Sequence, residues 1–194
     1  MGVMDKDIQK VLYTNEQIKQ RVNEIAAQLR IDYSEKDPVV VCVLNGAVVF
    51  YIDLMMALEI PLSMDFIRIS SYGNSTSSSG SVRILYDLEV DIAGRDVLIV
   101  EDIIDSGRTL YMLTNLLKNR GANSVKCCCL LDKKDRREVP LQADYVGFDI
   151  PDEFVVGYGL DYSKMYRNLP YIGTLKPEIY EKDIEDTKDR NSVV

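Results

Sequence analysis

The chain has 194 residues, 46% of them hydrophobic and 28% charged, with a formal net charge of −8. That length can bury a core without disulfides, and the acidic balance argues against a broad basic surface for nucleic acid. Histidine is absent, which excludes Ser-His and Cys-His nucleophiles and any histidine base, so proton transfer falls to carboxylates, Lys, Tyr or Cys.

The opening residues Met1-Gly-Val-Met-Asp-Lys-Asp7 have no apolar run behind a basic patch and read as no secretory leader. Their Met-Gly pair is a cue for myristoylation that Asp5 and Asp7 oppose. Asn15 is placed as the N-cap of a helix through Gln28, with Ile18, Val22, Ile25, Ala26 and Leu29 on one face. After Pro38 the Val-rich run 39–44 is too short for a helix and reads as a strand buried on both faces. Asn45-Gly46 turns the chain into a helix from Ala47 to about Leu58, and a strand follows over 64–70. The Ser- and Gly-rich stretch 71–81 predicts a mobile loop. An interdomain linker fits less well, because the strands on either side are too few to stand alone.

Further strands are predicted over 82–85, 97–100, 125–131, 145–148 and 154–156. The helix from about Thr109 to Arg120 presents Leu110, Leu113, Leu116 and Leu117 inward and stops at Gly121. Strands alternating with helices predict an α/β fold with a parallel sheet covered on both faces. Cys42 and the run Cys127-Cys128-Cys129 read as small buried hydrophobes in a reducing, cytoplasmic setting, since neighbours on a strand alternate faces and cannot gather on one metal. No segment approaches the ~20 apolar residues that span a bilayer. The tail beyond Tyr180 is highly charged and predicted to fray.

Chemistry concentrates in Val97-Leu-Ile-Val-Glu-Asp-Ile-Ile-Asp-Ser-Gly-Arg-Thr109. An apolar strand ends, Glu101, Asp102 and Asp105 follow on a loop, and small residues lead into a helix. Ligands of open α/β sheets sit beyond the carboxyl ends of strands. The Asp-Ser-Gly-Arg-Thr turn offers N–H groups, hydroxyls and a helix N-terminus for a phosphate. Walker A and Gly-x-Gly-x-x-Gly patterns are both missing. Alone, the acids could be solvated loop residues; the order strand, acids, cradle, helix favours a ligand joining phosphate, diol and magnesium-bound pyrophosphate.

This stretch resembles the phosphoribosyl pyrophosphate signature of type I phosphoribosyltransferases, most closely the hypoxanthine-guanine branch. Further matches are Asp65-Phe-Ile-Arg68, Ser71-Tyr-Gly73, Leu131-Asp-Lys133, Arg136-Arg-Glu-Val139, Asp144-Tyr-Val-Gly-Phe148, Ile150-Pro-Asp152 and Phe154-Val-Val-Gly-Tyr-Gly-Leu-Asp-Tyr162. The resemblance implies the type I phosphoribosyltransferase fold, a twisted and mainly parallel sheet flanked by helices. Its core would span about 35–150 and a small hood subdomain would come from the chain ends, about 1–15 and 151–180, with a lid loop over 71–81 and the tail over 181–194.

It also implies an enzyme of purine salvage that joins a 6-oxopurine base to phosphoribosyl pyrophosphate with Mg2+, as a homodimer or homotetramer, with no nucleic acid or membrane as partner. By resemblance, Glu101 and Asp102 bind ribose hydroxyls and the metal shell, and Asp105 handles the proton at purine N7, its pKa raised by the neighbouring acids. Ser106, Gly107, Arg108 and Thr109 hold the 5′-phosphate, while Asn45, Gly46 and Arg167 serve pyrophosphate. Lys133 donates to purine O6, Phe154 stacks on the base, Val155 presents backbone groups to its edge, and Asp161 sits near a second magnesium. Ser71 and Tyr72 belong to the lid that excludes water. Asn45 departs from the family's frequent basic residue, which removes a charge from the pyrophosphate loop. The rivals are a phosphoribosyltransferase with another base preference and a nucleic-acid-binding regulator on the same fold.

Overall fold

A computed structural model of the chain describes residues 2–71 and 82–180. The predicted lid loop and the charged tail lie outside these residues, apart from Ser71, whose backbone ends a strand. In chain order the elements are β1 (Ile8–Tyr13), α1 (Asn15–Asp32), β2 (Val39–Val43), α2 (Val48–Leu58), β3 (Ser63–Ser71) and β4 (Val82–Tyr86). They continue with β5 (Asp96–Ile104), α3 (Arg108–Asn119), β6 (Ser124–Asp132), β7 (Tyr145–Asp149), β8 (Val155–Val156) and β9 (Ile172–Leu175). The chain divides into two compact units, Lys19–Asp152 and Met1–Ile18 together with the segment from Glu153 onward.

The larger unit is built on a six-stranded sheet of order β4-β3-β2-β5-β6-β7. Its pairings are parallel except β3 with β4, which is antiparallel. Every position of β2 is buried, as expected for a central strand covered on both sides. On one face α3 packs Leu110, Leu113 and Leu117 against Val39, Val41, Val97, Ile99, Cys127 and Cys129. On the other lies α2, whose Tyr51 hydroxyl donates to the Val40 carbonyl at 2.9 Å and whose ring meets Phe66. The fold is therefore mixed α/β with a mostly parallel sheet flanked by helices. The smaller unit contains an antiparallel sheet, β1-β9-β8. Neither β1 nor β9 is legible as a strand in advance: β1 reads Ile-Gln-Lys-Val-Leu-Tyr, without clean alternation, and its pairing carries register shifts.

Helix starts and stops are chemical. The cap of α1 is Thr14, one residue before the Asn15 expected: Thr14 Oγ1 accepts from Gln17 N at 3.4 Å while Gln17 Oε1 accepts from Thr14 N at 2.9 Å. This reciprocal box satisfies two end donors at once, and Asn15 is freed to donate its side-chain amide to the Pro170 carbonyl. Packing carries α1 on to Asp32, past Gln28, with Leu29 buried and Tyr33 buried just beyond its end. Gly121, at φ 87, follows the end of α3 as predicted. All four cysteines are reduced and buried, and burial holds the Cys42 thiol up at about 12. No helix among the described residues is long and apolar enough to cross a membrane.

One buried carboxylate ties the loop after β4 to the sheet. Asp65 accepts from Phe66 N at 2.7 Å, Glu89 N at 2.9 Å and Val90 N at 2.8 Å. Asp65→Ala strands the Glu89 and Val90 donors, so the expected loss is about 2–4 kcal/mol. Urea unfolding should show a lower midpoint at an unchanged slope; an unmoved midpoint would contradict this role.

Candidate active site

The parallel ladder of β5 on β6 runs on to Ile104 opposite Asp132. Glu101 and Asp102 are therefore strand residues, not loop acids as expected from the end of the apolar run. Successive strand residues face opposite ways. Glu101 stands opposite Cys129 in the register and shares its side with Ile99 and the α3 cluster. Asp102 points the other way, into the space a Cβ would need at Gly46, and also accepts from Ile103 N at 2.8 Å. The glycine before α2 is thus required by close approach of a carboxylate. The preceding Leu44–Asn45 peptide is cis, and Asn45 is exposed.

Glu101 is the anomalous group. Its Oε2 is buried and has no hydrogen-bond partner. Burial, with a smaller push from Asp102, holds its carboxyl well above the usual carboxylate range. Such an orphaned oxygen is what a hard cation or a sugar hydroxyl would satisfy. No group of three or more metal-ligating side chains occurs among the described residues, but magnesium commonly takes only one or two carboxylates, with phosphate oxygens and water completing its shell. Glu101 and Asp102 fit that demand.

After Ile104 the chain turns through Asp105, Ser106 and Gly107 into α3. Gly107 has φ 77 and serves as the N-cap, yet no side chain caps the helix. A helix start of this kind suits an anion. Within the loop, Arg108 N donates to Ser106 Oγ at 3.4 Å, and Arg108 pairs with Glu138. Asp105 meets a cation: Arg136 Nε donates to its Oδ1 at 3.1 Å.

Arg136 and Arg137 belong to a segment matched in sequence but given no role there. Arg136 Nη1 also reaches Asp152 at 2.9 Å. Lys133, only 8% exposed, places its amine 3.3 Å from the other oxygen of Asp152. Arg136 first and Lys133 second hold Asp152 below the usual carboxylate range. The sole sequence signal for these partners was their place in matched segments, since charged residues near a turn otherwise read as solvated. A groove of about 650 Å³ lined by Asp132, Lys134, Arg137 and Leu141, among others, contains none of the residues predicted for substrate.

In the smaller unit, Phe154 is 45% exposed, with Tyr162 edge-on at 5.5 Å and Tyr180 stacked at 5.6 Å. Val155 is buried and pairs with Thr174 across β8 and β9. Asp161 and Arg167, expected at separate ligands, pair with each other at 2.6 Å, and Arg167 donates to the Gly159 carbonyl at 2.6 Å. Asp161 also accepts from Lys164 N at 2.8 Å. Of the lid pair, Tyr72 lies outside the described residues, and of Ser71 only the backbone is described.

Glu101 makes stability depend on pH with a definite sign. Below its ordinary value of 4.5 folded and unfolded chains both hold the proton. Above it the unfolded chain releases the proton that the folded protein retains, so stability falls until the raised folded-state value is passed. In metal-free protein, Glu101→Gln should show no Tm advantage over wild type below pH 4.5 and a growing one above. A pH-independent difference would contradict the assignment.

A family model described as the phosphoribosyl transferase domain matches residues 9–163. The chain is 52% identical over 179 residues to the hypoxanthine-guanine phosphoribosyltransferase of Bacillus subtilis, covering 92% of this chain and 99% of that one. The bifunctional protein TilS/HprT of Listeria innocua is 55% identical over 179 residues, and the chain spans 28% of its length. A crystal structure of a hypoxanthine phosphoribosyltransferase from Staphylococcus aureus superposes with a TM-score of 0.89 at 50% identity, covering 92% of this chain and 97% of that one. Identity at this level, sustained from end to end of whole relatives, means that the chain belongs to the hypoxanthine-guanine phosphoribosyltransferase family.

Proposed function

We propose that the protein transfers the phosphoribosyl group of phosphoribosyl pyrophosphate to N9 of hypoxanthine or guanine, giving IMP or GMP and releasing pyrophosphate. The observation that carries the reading is the end of β5: a buried carboxylate oxygen without a partner, followed at once by an uncapped helix N-terminus. One feature suits a diol or cation and the other a phosphate.

In this reading N9 attacks the anomeric carbon from the face opposite pyrophosphate. The bond from that carbon to N9 forms as its bond to the pyrophosphate oxygen breaks, and the N7 proton passes to Asp105. Arg136, the partner of Asp105, gives up that contact when the base arrives. The loop 106–109 holds the 5′-phosphate. Glu101 accepts from ribose hydroxyls, while Asp102, against Gly46, would help hold magnesium. Magnesium, when bound, supplies positive charge to the departing pyrophosphate. Catalysis rests on positioning and charge stabilisation without a covalent intermediate.

Lys133 is read as the donor to purine O6. Adenine would present an amine to that donor, and a site built around one hydrogen bond rejects the mismatched group strongly. In the smaller unit, read as the hood, Phe154 stacks on the base and Val155 offers its backbone; Asp161 would help hold a second magnesium and Arg167 would meet pyrophosphate. A cytoplasmic homodimer or homotetramer belongs to the same reading.

Assays with magnesium, phosphoribosyl pyrophosphate and each of hypoxanthine, guanine, xanthine and adenine test it. Turnover is expected with hypoxanthine and guanine and not with adenine. Asp105→Asn should lower kcat by about 10²–10⁴-fold, the span typical of general acid–base catalysis. Folded protein that turns over no base would overturn the proposal.

A further inference from the structure

The segment after β6 runs beside the phosphate loop almost residue by residue. Arg136 meets Asp105, Glu138 N donates to the Ser106 carbonyl at 3.0 Å, and the Glu138 carboxylate pairs with Arg108. Between these contacts lies Arg137. A Cβ added to Gly107 would stand 2.7 Å from Arg137 Nη1, 2.9 Å from its Cδ and 3.2 Å from Val139 Cγ2. The guanidinium and its stem therefore fill the space under the glycine that opens the cradle.

Arg137 is not a surface cation. Its side chain is 14% exposed, and its Nη2 is held by Asp132, whose side chain is 4% exposed. Its Nη1 is buried with no hydrogen-bond partner. A buried ion pair contributes little net stability, because desolvation offsets most of the attraction. The use of the pair is better sought in what it supports. The loop has few bonds of its own: the left-handed Gly107 heads a helix that no side chain caps, and the Ser106–Arg108 contact is long at 3.4 Å. A cradle of backbone N–H groups works only when those groups are held convergent before the anion arrives.

We propose that Arg137 is a positioning residue for phosphate recognition: anchored by Asp132 and packed against Gly107, it holds the loop 105–109 in the form that receives a ligand's 5′-phosphate. The proposal rests on the phosphate-binding reading of that loop. Arg137 touches no substrate in this scheme and acts through Gly107. It predicts that losing Arg137 damages recognition of the phosphate while recognition of base and sugar is kept.

Calorimetric titration of the full chain with GMP and with guanosine, beside steady-state kinetics, separates the possibilities. Wild type should bind GMP far more tightly than guanosine. For Arg137→Met, GMP affinity should fall about tenfold or more while guanosine stays within about twofold. KM for phosphoribosyl pyrophosphate should rise in parallel while KM for hypoxanthine holds, and Arg137→Lys should fall between. Asp132→Asn, which removes only the anchor, should move the same ratio in the same direction and serves if Arg137→Met does not fold. A lowered Tm with an unchanged GMP-to-guanosine ratio in the variants makes Arg137 merely structural and overturns the proposal. Wild type that binds GMP no better than guanosine overturns the phosphate reading of the loop, and this proposal falls with it.

Discussion

Parallel pairing of β5 with β6, continued past the apolar core to Ile104 opposite Asp132, is the contact on which the rest of the site depends. Two neighbouring strands that run the same way deliver their ends to the same edge of the sheet. That edge receives Glu101, Asp102 and, just beyond the strand, Asp105 from β5, and Asp132 and the following Lys133 from β6, the latter tied back by its N–H to the Ile104 carbonyl at 2.9 Å. Beneath it, residues 97–100 and 127–131 are buried and supply the hydrophobic area that keeps the ladder in place. Because side chains alternate along a strand, a slip of one residue would exchange the faces of Glu101 and Asp102. The register therefore carries the chemistry as well as the fold.

Charge at this edge is balanced group by group. The chain is acidic overall, yet each nearby cation has a matching carboxylate: Arg136 with Asp105 and Asp152, Lys133 with Asp152, Arg137 with Asp132, Arg108 with Glu138. These pairs differ in kind. Those of Arg136 and Arg108 are half exposed or more, where solvent screening leaves an ion pair little net worth, so a charged ligand can replace them at small cost. The Arg137–Asp132 pair is buried and behaves as framework. Glu101, at the end of the apolar part of β5, keeps a buried oxygen without a partner, and an unanswered polar group of that kind carries a standing penalty that a bound hydroxyl or cation would relieve.

Much of this was legible before any coordinates. Val39 to Val43 could be read as a doubly buried strand because five apolar residues in a row cannot alternate, and the leucines of α3 fell on one face at helical spacing. Gly121 read as a stop and the cysteine run as core, since each depends on a local preference. The motif ending in Ser106-Gly107 was recognisable as a candidate phosphate loop because small residues and a free helix start follow the acids in the order that such a cradle requires. The boundaries were less legible. β5 looked finished at Val100 because composition turns acidic there, but hydrogen bonding to β6 continues regardless of side-chain polarity. Thr14 displaced Asn15 as cap because Gln17 sits three residues on to close the reciprocal box.

By itself, then, the amino-acid order determined the alternating strand and helix pattern, the apolar core, the phosphate-loop motif and the acids beside it, all of which follow from short-range periodicity and side-chain chemistry. Only tertiary structure decided which partner each charge meets. The opposition of Glu101 and Asp102 comes from strand pairing. Arg136 meets Asp105 because separate segments are folded side by side, while Arg137 meets Asp132 beneath Gly107, and Asp161 meets Arg167, because short turns double the chain back on itself. Long, flexible charged side chains choose among many acceptors by distance, and distance across a fold is not a local property of sequence.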